Sequence, residues 1–263
     1  MYGIVLHSIV PVRSEAKEQA EQTTQLLFAE TLEVLQAEER WLRIRNDYDG
    51  QEGWVDRKMI SLIDNEAKQQ AFAEFLKSTR THRVCMPMAL AVSEANQQTL
   101  PLTGGTVLPN YKNGKFSVLE ATFFIDPQMV ATEQQLTQEH LLQAVRYYLN
   151  IPYLWGGKNA FGMDCSGFTQ VLMSLFGKRL KRNASEQAKQ GTTIPSLSES
   201  RSGDLAFFDH HLKDKINHVG ILINKQTVVH CSGRVKIEKL NSDGIINTES
   251  GQLSHRLVKI QRI

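Results

Sequence analysis

The chain has 263 residues, 41% apolar and 22% charged, which is the balance of an ordinary globular protein with one large domain or two to three small ones. A formal net charge of +2 with no clustered basic face argues against a nucleic-acid ligand, and no apolar run approaches a membrane span in length. Three cysteines, Cys85, Cys165 and Cys231, are odd in number, do not make a disulfide scaffold, and suit a reducing compartment. The opening run "MYGIVLHSIVPVR" has no basic n-region and is interrupted by His7, Ser8 and Pro11. It predicts a strand rather than a signal peptide, and with Met1 as the start a cytoplasmic protein.

Residues 1–63 alternate short β-rich runs with turns. In "RWLRIR" apolar and polar residues alternate with period two, as in a half-buried strand, and "NDYDGQEG" is turn-rich. The order of "VPVR", "QLLFAETLEVL", "WLRIR" and "DGQEGWV" resembles the bacterial SH3-like domain of cell-wall enzymes. Residues 64–80 predict a helix capped by Asp64 or Asn65, and the strand-like runs to residue 131 suit a second, divergent SH3-like barrel. From residue 132 the texture changes. Thr132 and Gln135 stand at capping-box spacing before a helix that carries Leu141, Leu142, Val145, Tyr148 and Leu149 on one face. A second helix follows Cys165 through Phe168, Val171, Leu172, Leu175 and Phe176, with Gly177 placed to end it. The basic run "GKRLKRN" reads as a solvated helix end. Three strands are expected next, "DLAFFD", "HVGILIN" and "TVVHCSG", so residues 132–263 form an α+β pattern.

Cys165 in "GMDCSGF" has three readings: a nucleophile, a metal ligand or a small buried side chain. A helix start favours its thiolate, whereas the adjoining Asp164 disfavours it and is a good N-cap. Gly162 and Gly167 would let a substrate chain approach closely. A thiol nucleophile needs a base, and the base needs an orienting partner. His218 opens one strand-like run and His230 closes the next, so a hairpin brings both to one end of a sheet. A Cys165–His218–His230 zinc site is the competing reading. No C-x-x-C or H-x-x-H pair and no fourth ligand accompany it, so no metal and no cofactor are expected. His7, His82, His140, His210, His211 and His255 lack a cysteine context and read as surface or core residues, with "DHHLKDK" a solvated loop.

"YLWGGKNAFGMDCSGFTQVLM", "RNASEQAKQG", "RSGDLAFFD", "NHVGILI" and "VVHCSG" together resemble the NlpC/p60 family of cell-wall cysteine peptidases over residues 132–263. The resemblance implies an α+β, papain-like core preceded by one or two SH3-like β-barrels. It is nearest to the γ-D-glutamyl-L-diamino acid peptidases, which require a free N-terminal L-alanine. By that resemblance Cys165 is the nucleophile, His218 the base and His230 the third member. Tyr153 would lie near the oxyanion, Trp155 would line the pocket, Ser166 flanks the nucleophile and Asp164 stands near the substrate's amino group. Ser185 in "RNASEQ" is carried over with them, although Asn183 stands where the family often has an aspartate. Glu30 is expected to reach the ammonium group from the SH3-like domain, its competing reading being an exposed strand-end carboxylate. The implied partner is a murein peptide, L-Ala-γ-D-Glu-diamino acid, cut by a monomer to give L-Ala-D-Glu in peptide recycling. Diaminopimelate and lysine stay open as the third residue. A non-catalytic wall-binding protein, or an amidase or acyltransferase on the same core, are the alternatives.

Overall fold

The computed structural model describes residues 1–209 and 215–263, and the chain divides into two compact units, Met1–Glu133 and Gln134–Ile263. In the first unit, β1 (Tyr2–Ile4), β2 (Ile9–Arg13), β3 (Gln22–Leu27), β4 (Thr31–Ala37), β5 (Trp41–Asn46), β6 (Glu52–Asp56) and β7 (Ser61–Leu62) form one sheet in the order β3-β2-β6-β5-β4-β1-β7. The period-two reading of β5 holds. Leu42 and Ile44 are buried, while Arg43 and Arg45 stand outside and pair with Glu52 on β6. Val10, Val12, Leu26, Leu32, Leu42, Ile44 and Val55 fill the centre around which these strands curl.

Helix α1 (Glu66–Leu76) follows, capped by the Asn65 side chain, which accepts from the Lys68 N–H at 3.0 Å. The segment behind it contains β8 (His82–Val84), β9 (Met88–Ser93), β10 (Thr99–Thr103), β11 (Lys115–Val118), β12 (Ala121–Ile125) and β13 (Val130–Thr132). They make a four-stranded sheet ordered β10-β9-β12-β11 and a β8–β13 pair. Phe72 and Phe75 of α1 pack with Val84 and Phe116 from this segment and with Ile4, Phe28 and Ile63 from the first sheet. The two parts of the first unit therefore share one apolar core.

The second unit opens with α2 (Gln138–Tyr148). Its cap is Thr137, which accepts from the His140 N–H at 3.2 Å, so the capping-box reading of Thr132 and Gln135 fails. Thr132 is already committed to β13, and a helix cannot start inside a paired strand. Leu141, Val145 and Tyr148 face inward as expected, with the Tyr148 ring against Phe168. A small hairpin, β14 (Lys158–Asn159) with β15 (Gly162–Met163), leads into α3 (Cys165–Ser174), all ten of whose residues are buried. A helix buried on every side sits between other elements rather than on a surface. It closes at Leu175, and Gly177 beyond it takes a left-handed φ of +70°.

After the short helix α4 (Ala184–Gln187) come β16 (Thr192–Ile194), β17 (Leu205–Asp209), β18 (His218–Asn224), β19 (Thr227–Ser232), β20 (Arg234–Leu240), β21 (Gly244–Ile246) and β22 (Leu253–Arg262). They pair antiparallel in the order β16-β22-β17-β18-β19-β20-β21, and β21 also pairs with β22. Three strands were expected here and seven form among the described residues; β20 and β22 escaped the reading because they carry polar residues that weaken their apolar alternation. Helices followed by an antiparallel sheet confirm the α+β class. His210 and His211, with the rest of "HHLKD", lie outside the described residues.

Candidate active site

The start of α3 is built around Asp164. Its Oδ1 accepts from the Gly167 N–H at 2.6 Å as an N-cap, and its Oδ2 accepts from the Gly156 N–H at 2.9 Å. The glycines nearby allow close approach by other parts of this chain. A Cβ on Gly167 would lie 2.2 Å from the Gly157 carbonyl oxygen, and one on Gly162 would lie 2.4 Å from Leu154 Cβ.

Arg182 meets the same carboxylate from "GKRLKRN". Its Nη2 lies 2.5 Å from Asp164 Oδ2 and its Nη1 lies 3.0 Å from Oδ1, a bidentate pair, and Nη1 also donates to Ser166 Oγ at 2.9 Å. Arg182 is 1% exposed, which overturns the reading of this run as a solvated helix end. Leu180, Arg182 and Ala184 alternate inward while Arg179, Lys181 and Asn183 point out. Ser166 is buried in this network, donating to Asp164 Oδ1 at 3.2 Å, and its hydroxyl is thereby committed. Asp164, expected near a substrate ammonium, has its charge balanced by Arg182 and both oxygens occupied by donors.

Helix α3 packs against β18 and β19. In that hairpin Gly220 pairs with His230, so His218, two residues earlier, stands beside it at the same sheet end. His218 Nε2 lies 2.8 Å from His230 Nδ1, with the rings edge-on at 89°. They meet at one sheet end as the hairpin argument requires, and both are buried. The row continues beyond the expected pair. His230 Nε2 lies 2.9 Å from Oε2 of Glu238 on β20, a carboxylate that also accepts from Lys236 Nζ at 3.1 Å and from the Thr248 N–H at 3.0 Å. Burial alone would raise the Glu238 carboxyl, but the hydrogen bonds from His230, Thr248 and Lys236 outweigh it and bring it down to about 2. Burial holds His230 below the usual histidine range, against the opposing pull of Glu238. His255 of β22 packs on the His218 ring, centroids 4.4 Å apart and planes 32° apart, although it was read as a residue without a cysteine context. Glu238 and His255 come from strands that the sequence reading had left out.

Cys165 receives the N–H groups of Val219, next to His218, and of Ser166. Burial nevertheless pushes its thiol up to about 12, and Asp164 adds to the rise, while the two N–H groups and Arg182 pull the other way. The helix start does not by itself make a thiolate here, and a reactive Cys165 would need a base beside it. Tyr153 is tied down by its N–H to the Gly233 carbonyl at 2.8 Å, and burial together with the charges of Cys165 and Asp164 raises its phenol, which stays protonated. Trp155 is exposed, at 61%. Ser185 is exposed on α4, and no hydrogen bond joins it to the cysteine or the histidines. Glu30, in the first unit, accepts from Asn46 Nδ2 at 3.0 Å. Cys231 donates to the Met163 carbonyl at 3.1 Å, and burial raises its thiol. Among the described residues, no three His, Cys, Asp or Glu side chains are grouped so as to hold a metal.

A model described as the NlpC/P60 family matches residues 150–252, and one described as a bacterial SH3 domain matches residues 9–61. The γ-D-glutamyl-L-lysine dipeptidyl-peptidase of Bacillus subtilis (strain 168) is 30% identical over 224 residues, covering 79% of this chain and 71% of its own. A protein of the same name from Bacillus cereus is 25% identical over 249 residues, covering 87% and 73%. Among solved structures, an NlpC/P60 family protein from Bacillus cereus ATCC 10987 superposes with a TM-score of 0.82 at 18% identity, over 100% of this chain and 99% of that one. An NlpC/P60 endopeptidase from Photobacterium damselae subsp. piscicida gives 0.71 at 18%, over 98% and 70%. At these identities the structural likeness concerns the fold.

Proposed function

Since the chain belongs to the NlpC/P60 family of cysteine peptidases, we propose that it cleaves the γ-D-glutamyl bond to an L-diamino acid in peptidoglycan stem peptides, releasing L-Ala-D-Glu. The observation that carries this reading is the buried His218–His230 pair, 2.8 Å apart, against the helix that presents Cys165. His218 takes the Cys165 proton, and the thiolate attacks the γ-carbonyl carbon of D-glutamate. A backbone N–H at the start of α3 stabilises the developing oxyanion. When the tetrahedral intermediate collapses, the C–N bond breaks and His218 returns the proton to the departing amine. Water, deprotonated by the same histidine, then attacks the thioester and frees both the dipeptide and the thiol.

A free N-terminal L-alanine on the substrate means that the peptide has already left the glycan, which places the reaction in the recycling of released peptides. The relatives' names make L-lysine the first third residue to try. The test is a digest of L-Ala-γ-D-Glu-L-Lys and its diaminopimelate counterpart followed by mass spectrometry. L-Ala-D-Glu is expected from the unmodified protein and none from Cys165→Ala. Equal turnover of an N-acetylated tripeptide would count against the free-amine requirement, and absence of any fragment would sink the peptidase reading.

A further inference from the structure

We propose that Glu238 is a positioning residue for the reaction, fixing the tautomer of His230 and, through it, leaving Nδ1 of His218 bare to take the thiol proton. The proposal rests on the reading of Cys165 and His218 as nucleophile and base, and adds what decides which His218 nitrogen carries hydrogen.

A carboxylate can only accept, so the hydrogen between Glu238 Oε2 and His230 Nε2, 2.9 Å apart, belongs to the imidazole. A neutral imidazole has a single N–H, and His230 therefore offers a lone pair at Nδ1. The hydrogen in the 2.8 Å contact to His218 must then sit on His218 Nε2. By the same count, Nδ1 of neutral His218 carries none. If the partner of His230 could also donate, both tautomers of His230 would open. One of them would drive the His218 hydrogen onto Nδ1, where it blocks proton transfer from the thiol.

Glu238 is held for this task. It is 3% exposed, with donors from His230, Lys236 and Thr248 on its two oxygens. The next residue outward, Ile237, is 38% exposed, so β20 turns its carboxylate in and its isoleucine out. Burying a charge beside Leu240 on this face costs stability unless the charge is paired and hydrogen-bonded, as it is here. Once His218 becomes an imidazolium, the Glu238 charge two hydrogen bonds away also favours that state. Among the described residues, other titratable groups beside this row are Lys236, which shares Glu238, His255, which stacks on His218, and the Cys165 thiol, which receives the Val219 N–H next to His218.

The test uses nitrogen-15 histidine spectra of the full chain, which need no substrate and so can fail separately from the peptidase reading. In the unmodified protein at neutral pH, His230 is expected as the Nε2–H tautomer and His218 likewise. An Nδ1–H signal for His230 would overturn the proposal without any variant. In Glu238→Gln the His230 signal is expected to become a mixture of tautomers. The titration midpoint of His218 should fall by about one pH unit, the shift expected for losing a nearby charge. Turnover of the tripeptide should fall about ten- to a hundredfold in kcat with KM unchanged, the usual cost of losing a group that orients a reacting imidazole. A variant that melts earlier yet keeps the tautomer and the His218 midpoint would show a structural role only and overturn the proposal.

Discussion

Asp164 at the start of α3 and Glu238 on β20 are both buried carboxylates of the second unit, but the first meets a full guanidinium and the second an imidazole and a lysine. The difference follows from what each stands beside. Asp164 adjoins Cys165, where an uncompensated negative charge opposes the thiolate, and Arg182 cancels it through two hydrogen bonds. Glu238 is separated from His218 by His230, and there a negative charge would assist the imidazolium that the proposed reaction forms. Its lysine shares only one oxygen and stays partly solvated. On the proposed reading, the site uses one carboxylate as a cap made electrically silent and the other as a charge kept active.

The largest effect should come from breaking the silent pair. Arg182→Met leaves the Asp164 charge buried without its partner, and losses of about 3–5 kcal/mol are usual for half of a buried pair. Urea unfolding measures it, and a loss under about 1 kcal/mol would mean that solvent reaches Asp164 after all. Adding Asp164→Asn should recover much of the loss, because asparagine still caps a helix and no charge remains buried.

Next in size is the effect on Cys165, the proposed nucleophile. Asp164→Asn alone leaves Arg182 facing Cys165 unopposed, so the thiol should ionise at a pH lower by about one unit or more. Thiolate absorbance against pH, read in a Cys85→Ser background, follows it. A rise in that midpoint would contradict the view that Asp164 works against the thiolate. Glu238→Gln is the contrasting change, expected to act on His218 and to leave the thiol nearly where it was.

How far this contrast could be read from the sequence depends on the type of signal. Cys165 at a helix start, and two histidines at matching ends of a hairpin, follow from local pattern and strand pairing. Arg182 was misread because a charged run normally faces water, and its cue lay in the alternation of Leu180, Arg182 and Ala184. Glu238 was invisible for a related reason. In "RVKIEKL" alternation puts Val235 and Ile237 on one face and Glu238 on the other, so a pattern reader chooses the apolar face as inside. The structure buries Val235 and Glu238 together, a break in strict alternation. His255 joins the site through sheet closure between β21 and β22, which no short window of sequence contains.

The smallest effect concerns pH and sharpens the comparison from the other side. His230 is held neutral in the native state, below its free value of 6.5, so below that pH the unfolded chain binds a proton that the folded chain refuses. Stability should therefore decline as pH falls through 6.5, with a slope of at most about 1.4 kcal/mol per unit from this one group. Glu238 acts with the same sign at lower pH. Its folded value of about 2 lies below the free value of 4.5, so a further decline should run from near 4.5 downward. Urea midpoints measured from pH 7.5 to 4 should trace both, with the upper part flattened in His230→Asn and the lower part in Glu238→Gln. A profile unchanged in both variants would mean that the acid sensitivity of this unit arises elsewhere, and that the Glu238 row is not where its charge is kept.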